Sequence, residues 1–105
     1  MELRHLRYFV TVVEEQSITK AAEKLCIAQP PLSRQIQKLE EELGILLFER
    51  GSRPVRTTDA GQFFYQHAVQ ILTHTAQATS MAKRISSINM IIRIGYVSSL
   101  LYALL

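Results

Sequence analysis

The chain has 105 residues, 48% of them apolar, with 12 basic and 9 acidic side chains and a net charge of +3. That apolar share excludes a disordered polymer, and the length allows one small domain plus an extension. A charge of +3 excludes a general polycation, so placement matters more: Arg50, Arg53 and Arg56 share an acid-free stretch, whereas Glu40, Glu41 and Glu42 are consecutive.

The first helix is expected from about Glu2 to Glu15, because Leu3, Leu6, Phe9, Val10 and Val13 mark one apolar face at helical spacing. Ser17 suits the N-cap of a second helix, whose Ile18, Ala21, Ala22 and Leu25 turn inward. The alanine pair either lets two helices approach closely or simply favours helix. A short turn follows, Cys26-Ile27-Ala28. As the sole cysteine, Cys26 can form no intrachain disulfide, and between Leu25 and Ile27 it reads as a buried structural thiol.

The third helix opens at Gln29 to Pro31, where proline costs little because first-turn amides lack intrahelical partners. Leu32, Ile36, Leu39 and Leu43 form its apolar back, and Gly44 fits a left-handed C-cap. Two helices joined by a tight turn make a helix-turn-helix. The runs Leu46–Arg50 and Val55–Thr57, around Gly51-Ser52-Arg53-Pro54, suggest a small hairpin, or wing, leaning on the helices.

Thr57 or Thr58 can cap a long helix from Asp59 to about Ser86 or Asn89. One seam keeps heptad spacing along it: Phe64, Ala68, Ile71, Thr75, Ala78, Ala82 and Ile85. A helix of roughly thirty residues is too long to bury both faces on so small a domain, so a homodimer through this seam is expected over a helix folded back on its own domain. Ile91 to Val97 reads as a buried strand and Ser98 to Leu105 as the start of a helix, half of a βαβ unit, so the chain is expected to stop just inside another domain. No leader or membrane-length apolar run is visible, and a cytoplasmic, reducing setting is expected.

At about 100° per residue from an inward Leu32, the positions Pro30, Arg34, Gln37 and Glu41 lie nearly opposite, flanked by Ser33 and Lys38. Such a front suits a DNA major groove, where arginine pairs with guanine and glutamine with adenine. The expected contact set is Gln29, Pro30, Pro31, Ser33, Arg34, Gln37 and Lys38, with Arg53 from the wing. Arg34 is assigned to base readout, with a phosphate contact or a solvated surface arginine as the alternatives; Ser33 suits a phosphate or a base edge, and the prolines a thymine methyl. Arg53 reaches either a narrow minor groove or a phosphate. Arg50 is open between a surface role and pairing with Glu40 to Glu42, whose charge keeps the carboxyl end of the helix out of the groove. His5, His67 and His74 lack ligand spacing, so no metal, cofactor or catalytic constellation is expected.

The residues AAEKLCIAQPPLSRQIQKLEEELGILLFER, followed by RPVRTTDAG, resemble the amino-terminal segment of LysR-type transcriptional regulators, and MELRHLRYFVTVVEE also fits. The detail IAQPPLSRQI is similar to the branch controlling benzoate and catechol degradation, whose effector is cis,cis-muconate. The resemblance implies a mainly α protein: a winged helix-turn-helix over residues 1–58, a linker helix over 59–89 pairing antiparallel with a partner's, and the start of an effector-binding domain over 90–105. It implies double-stranded promoter DNA as partner and an effector bound by the domain downstream. Ala28 departs from the family's frequent Ser or Thr, which leaves Pro30-Pro31 to set the opening of the third helix. A helical protein-interaction module without DNA binding is the competing reading; the basic wing and polar helix front oppose it.

Overall fold

The computed structural model describes residues 1–93. Among these, four helices run in order: α1 (Leu3–Glu15), α2 (Ile18–Leu25), α3 (Gln29–Leu43) and α4 (Asp59–Arg93). By contact the chain divides into two units, Met1–Leu72 and Thr73 onward. The first contains the helix-turn-helix, the wing and the opening turns of α4.

The core of that unit largely follows the apolar faces read in the sequence, with two departures on α1: Leu3 is exposed, and Val12, outside that face, is fully buried. α1 contributes Leu6, Phe9, Val10 and Val12, α2 contributes Ala21 and Ala22, and α3 contributes Leu32, Ile36 and Leu39. Both alanines are buried, so they do provide the close helix approach. Phe9 is fully buried, its ring centroid 5.4 Å from those of Phe48 and Phe64 in tilted contacts. One aromatic thus joins α1, the wing and α4. Thr11 is also buried, and its hydroxyl donates to the Arg7 carbonyl at 2.7 Å, leaving no orphaned polar group.

Helix ends follow local chemistry. The Ser17 hydroxyl accepts from the Lys20 amide at 3.2 Å, as expected of an N-cap. α3 begins without a side-chain cap at Ala28 and with proline in its first turn. It ends at Gly44, which has φ +70°. Cys26 corrects the expectation of a buried thiol: it is exposed. As the C-cap of α2 it adopts φ 58°, and that left-handed turn carries it outward while Leu25 and Ile27 on either side stay half-buried.

The wing is slighter than two paired strands. Its ladder is one antiparallel bridge, Phe48 to Thr57, with the Glu49 amide donating to the Arg56 carbonyl at 2.9 Å. Each arm is then fastened from outside. Glu40 Oε2 accepts the amides of Leu47 (2.7 Å) and Phe48 (3.3 Å) on the first arm. The Val55 amide on the second donates to the Gln16 carbonyl at 3.1 Å. Inside the tip, the Ser52 hydroxyl donates to the Glu49 carbonyl at 3.3 Å and accepts from the Arg56 amide at 3.2 Å. The Arg53-Pro54 peptide is cis.

Thr58 starts α4. Its hydroxyl accepts from the Gly61 amide at 3.0 Å and donates to the Leu46 carbonyl at 2.6 Å, while its own amide donates to the Leu47 carbonyl at 3.0 Å. Gly61 is buried against that same segment, and a Cβ there would meet the Leu47 carbonyl, with the carbonyl carbon 2.8 Å away.

α4 departs from the sequence reading at both ends. Ala68 is fully buried, and Phe64 packs against the same core, so the first two members of the expected dimer seam anchor α4 to its own domain. Val69 and Leu72 pack there too. Helical rotation explains the miss: the seam's spacing is slightly short of the helical period, so its early members drift onto the core face. At the other end the helix continues to Arg93, so Ile91, Ile92 and Arg93 are helical and not the start of a strand. The remainder of that expected strand and the helix start after it, residues 94–105, lie outside the described residues. Within the second unit Met81, Ile85, Met90 and Ile92 are large apolar side chains, each more than half exposed.

Candidate nucleic-acid interface

α3 is two-faced. Leu32, Ile36 and Leu39 are at most 6% exposed, whereas Gln29, Pro30, Arg34, Gln37 and Lys38 are exposed, and Pro31 and Ser33 are half-buried between them. Because α1, α2 and Leu47 cover the apolar back, only the polar front can meet a ligand. Arg34, Arg50 and Arg53 take part in neither ion pair found among the described residues, so their guanidinium groups stand ready for a base edge or a phosphate.

A cleft of about 230 Å³ lies between α3 and the wing. Ser33 and Gln37 line it from the helix, Arg50 and Ser52 from the wing. The structure therefore brings the helix front and the wing to one side of the domain, with Arg53 exposed in the tip between Gly51 and Pro54. Arg50 lines this cleft and also a second one beside Glu40 and Glu41, and it takes part in neither ion pair found among the described residues.

The three consecutive acids have separate duties. Glu40 is spent on the Leu47 and Phe48 amides. Glu42 pairs with the Met1 ammonium at 3.0 Å, and that hydrogen bond, then the charge behind it, holds its carboxyl below the usual range. Glu41 is exposed on the far end of the front. Tyr65 of α4 donates to Glu14 of α1 at 3.0 Å; this hydrogen bond, aided by partial burial, raises the phenol above its ordinary pKa.

Two residues near the front escaped the sequence reading. Gln29 Nε2 donates to the Thr19 hydroxyl of α2 at 3.0 Å, so one contact candidate is already held by a side chain ten positions earlier. The sequence reading gives Glu40 only as charge kept from the groove and as a candidate partner of Arg50, although an acid one turn before a helix end, followed by a tight change of direction, is positioned to accept backbone amides. Among the described residues no group of His, Cys, Asp and Glu is arranged to hold a metal, and no helix is long and apolar enough to cross a membrane.

Residues 3–62, more than half of the chain, match the family described as bacterial regulatory helix-turn-helix protein, lysR family. The chain belongs to that family. Among curated relatives, the HTH-type transcriptional regulator BenM of Acinetobacter baylyi is 71% identical over 105 residues, covering all of this chain and 34% of BenM. The probable cat1 operon transcriptional activator of Acinetobacter lwoffii is 49% identical over 106 residues, covering all of this chain and 35% of the relative. The chain thus spans about a third of the length of these relatives. Among solved structures, the BenM DNA-binding domain bound to benA site 1 DNA superposes with a TM-score of 0.82 at 75% identity, covering 83% of this chain and 98% of that one. The mainly α fold, with its helix-turn-helix and long following helix, is the fold of this family's DNA-binding domain.

Proposed function

We propose that this chain is the sequence-specific DNA-binding part of a bacterial transcriptional regulator, acting as a homodimer in the cytoplasm on promoter DNA. The observation that carries the reading is the segregation on α3: an exposed front of Gln29, Pro30, Arg34, Gln37 and Lys38 over a back closed by Leu32, Ile36 and Leu39. The amino-terminal half enters the major groove, Arg34 reads a base edge, and Ser33 and the first-turn amides serve the adjoining phosphate or base. Arg53 contributes from the wing. The relative that binds benA site 1 DNA supports the same docking, and the kinship to BenM and to the cat1 operon activator supports control of genes for benzoate or catechol breakdown. A muconate-like effector would be bound by a further domain, outside the residues described. No catalytic role is assigned.

The homodimer is formed by α4. Its register differs from the seam read off the sequence, since Phe64 and Ala68 are committed to the core. Within the second unit, Ala78, Met81, Ile85, Ile88 and Ile92 recur at alternating steps of three and four, and three of them are large, exposed and apolar. That stripe is the pairing surface; Thr75, Ala78, Ala82 and Ile85 of the expected seam lie on or beside it.

The decisive experiment is a salt titration of duplex binding followed by a footprint on promoter DNA. Steep loss of affinity with added salt and a two-fold-symmetric footprint are the expected results. Binding that is insensitive to salt, or no protection at all, returns the chain to the competing reading of a protein-interaction module.

A further inference from the structure

From the hydrogen bond between Thr19 and Gln29, we infer that Thr19 is a positioning residue for sequence readout: it holds the Gln29 amide so that its donor–acceptor edge meets a base, and so sets the preference at one base pair. This inference rests on the DNA-binding reading above.

Gln29 is the first residue of α3 and is exposed, so its side chain would otherwise sample many rotamers in water. Thr19 sits in the first turn of α2, and its hydroxyl oxygen accepts from Gln29 Nε2 at 3.0 Å. An amide nitrogen carries two hydrogens; with the one anti to Oε1 given to Thr19, the other stays on the edge it shares with Oε1 and remains for a ligand. Those two groups are the pair needed to bind adenine at N7 and N6 in the major groove. Because the threonine oxygen is acting as an acceptor, its own proton stays available to donate to a phosphate oxygen. Thr19 is β-branched and its χ1 is restricted within a helix, which makes it a firmer prop than a long side chain. The prop and the reader come from different helices, so the geometry of the helix-turn-helix itself orients the amide.

The test uses the chain with Thr19→Val, Thr19→Ser, Gln29→Ala and the double variant, each selected against a randomised duplex pool. Base preferences at every position are then measured by anisotropy on the selected duplex and its single-base variants. Valine keeps the shape and branching of threonine at an exposed site, and circular dichroism verifies the fold. Expected is that Gln29→Ala flattens preference at one position, that Thr19→Val flattens the same position by roughly threefold to tenfold, and that Thr19→Ser restores it. Adding Thr19→Val to Gln29→Ala should change that position no further.

A Thr19→Val profile like the parent's overturns the inference, as does a uniform loss on all duplexes, which would make Thr19 a phosphate contact only. If Gln29→Ala leaves every preference intact, Gln29 is not a reader and the inference falls while the DNA-binding reading stands. Failure of the parent chain to enrich any duplex overturns both.

Discussion

Glu40 Oε2 lies 2.7 Å from the amide nitrogen of Leu47, and the same oxygen takes the Phe48 amide at 3.3 Å. One carboxylate on α3 thereby fixes how the chain leaves that helix and starts the wing. Replacing it with alanine leaves two amides without an acceptor in a partly buried place. Glu40→Ala should cost about 1–3 kcal/mol in urea unfolding, with the Leu47 and Phe48 amides losing hydrogen-exchange protection first. Unchanged protection at both would show that the carboxylate does not hold the wing.

Gly61 tests a different joint. It is buried, and a side chain there would run into the Leu47 backbone, which Thr58 already pins. Backbone cannot swing aside as a flexible side chain can. Gly61→Ala should destabilise the domain by about 1–3 kcal/mol in thermal unfolding, despite alanine's better helix propensity. A melting temperature equal to or above the parent's would contradict the close approach.

Arg34 is exposed, with neither ion pair of the described residues committing it. Arg34→Ala is expected to weaken binding to the selected duplex by about 1–3 kcal/mol and relax preference at a single base pair. Equal loss on every duplex, with a shallower salt slope, would instead make it a phosphate contact.

Ile85 and Phe64 separate pairing from packing on the same helix. Ile85 is 55% exposed, whereas Phe64 packs on Phe9. Ile85→Lys should raise the dimer dissociation constant by about tenfold or more in sedimentation equilibrium, with little change in monomer stability. Phe64→Ala should lower stability by roughly 2 kcal/mol. An unaltered dimer in Ile85→Lys would rule out this stripe.

Tyr65 gives a pH dependence of definite sign. Its phenol donates to Glu14 only while protonated, and that bond raises its pKa in the folded state. The contribution is therefore complete below the ordinary phenol value of about 10 and disappears as pH climbs through the raised one. Tyr65→Phe should be less stable than the parent by under about 1 kcal/mol at neutral pH, the two converging in alkali. A constant difference across that range would exclude the hydrogen bond as its source.

Much of the recognition unit was legible in the sequence because its signals are local. Ser17, Pro30-Pro31 and Gly44 act on backbone within one turn, and the apolar spacing of α3 names its buried face directly, whereas on α1 it takes in the exposed Leu3 and passes over the buried Val12. What escaped depends on distant segments meeting. Glu40 with Leu47, Thr19 with Gln29, and Phe64 with Phe9 are each set by tertiary packing, which periodicity does not encode. Cys26 was misread for a related reason, since apolar neighbours do not reveal that a left-handed C-cap turns the residue outward.

The bond from Val55 to the Gln16 carbonyl has an evolutionary consequence. With the second arm tied to the turn between α1 and α2, and the first tied to Glu40, the residues between Arg50 and Pro54 are bracketed by fixed points. Substitutions in that bracket are expected to leave the helical scaffold undisturbed. On the proposed DNA-binding reading, the tip is thus an exchangeable cartridge, in which target preference is free to change without renegotiating the fold.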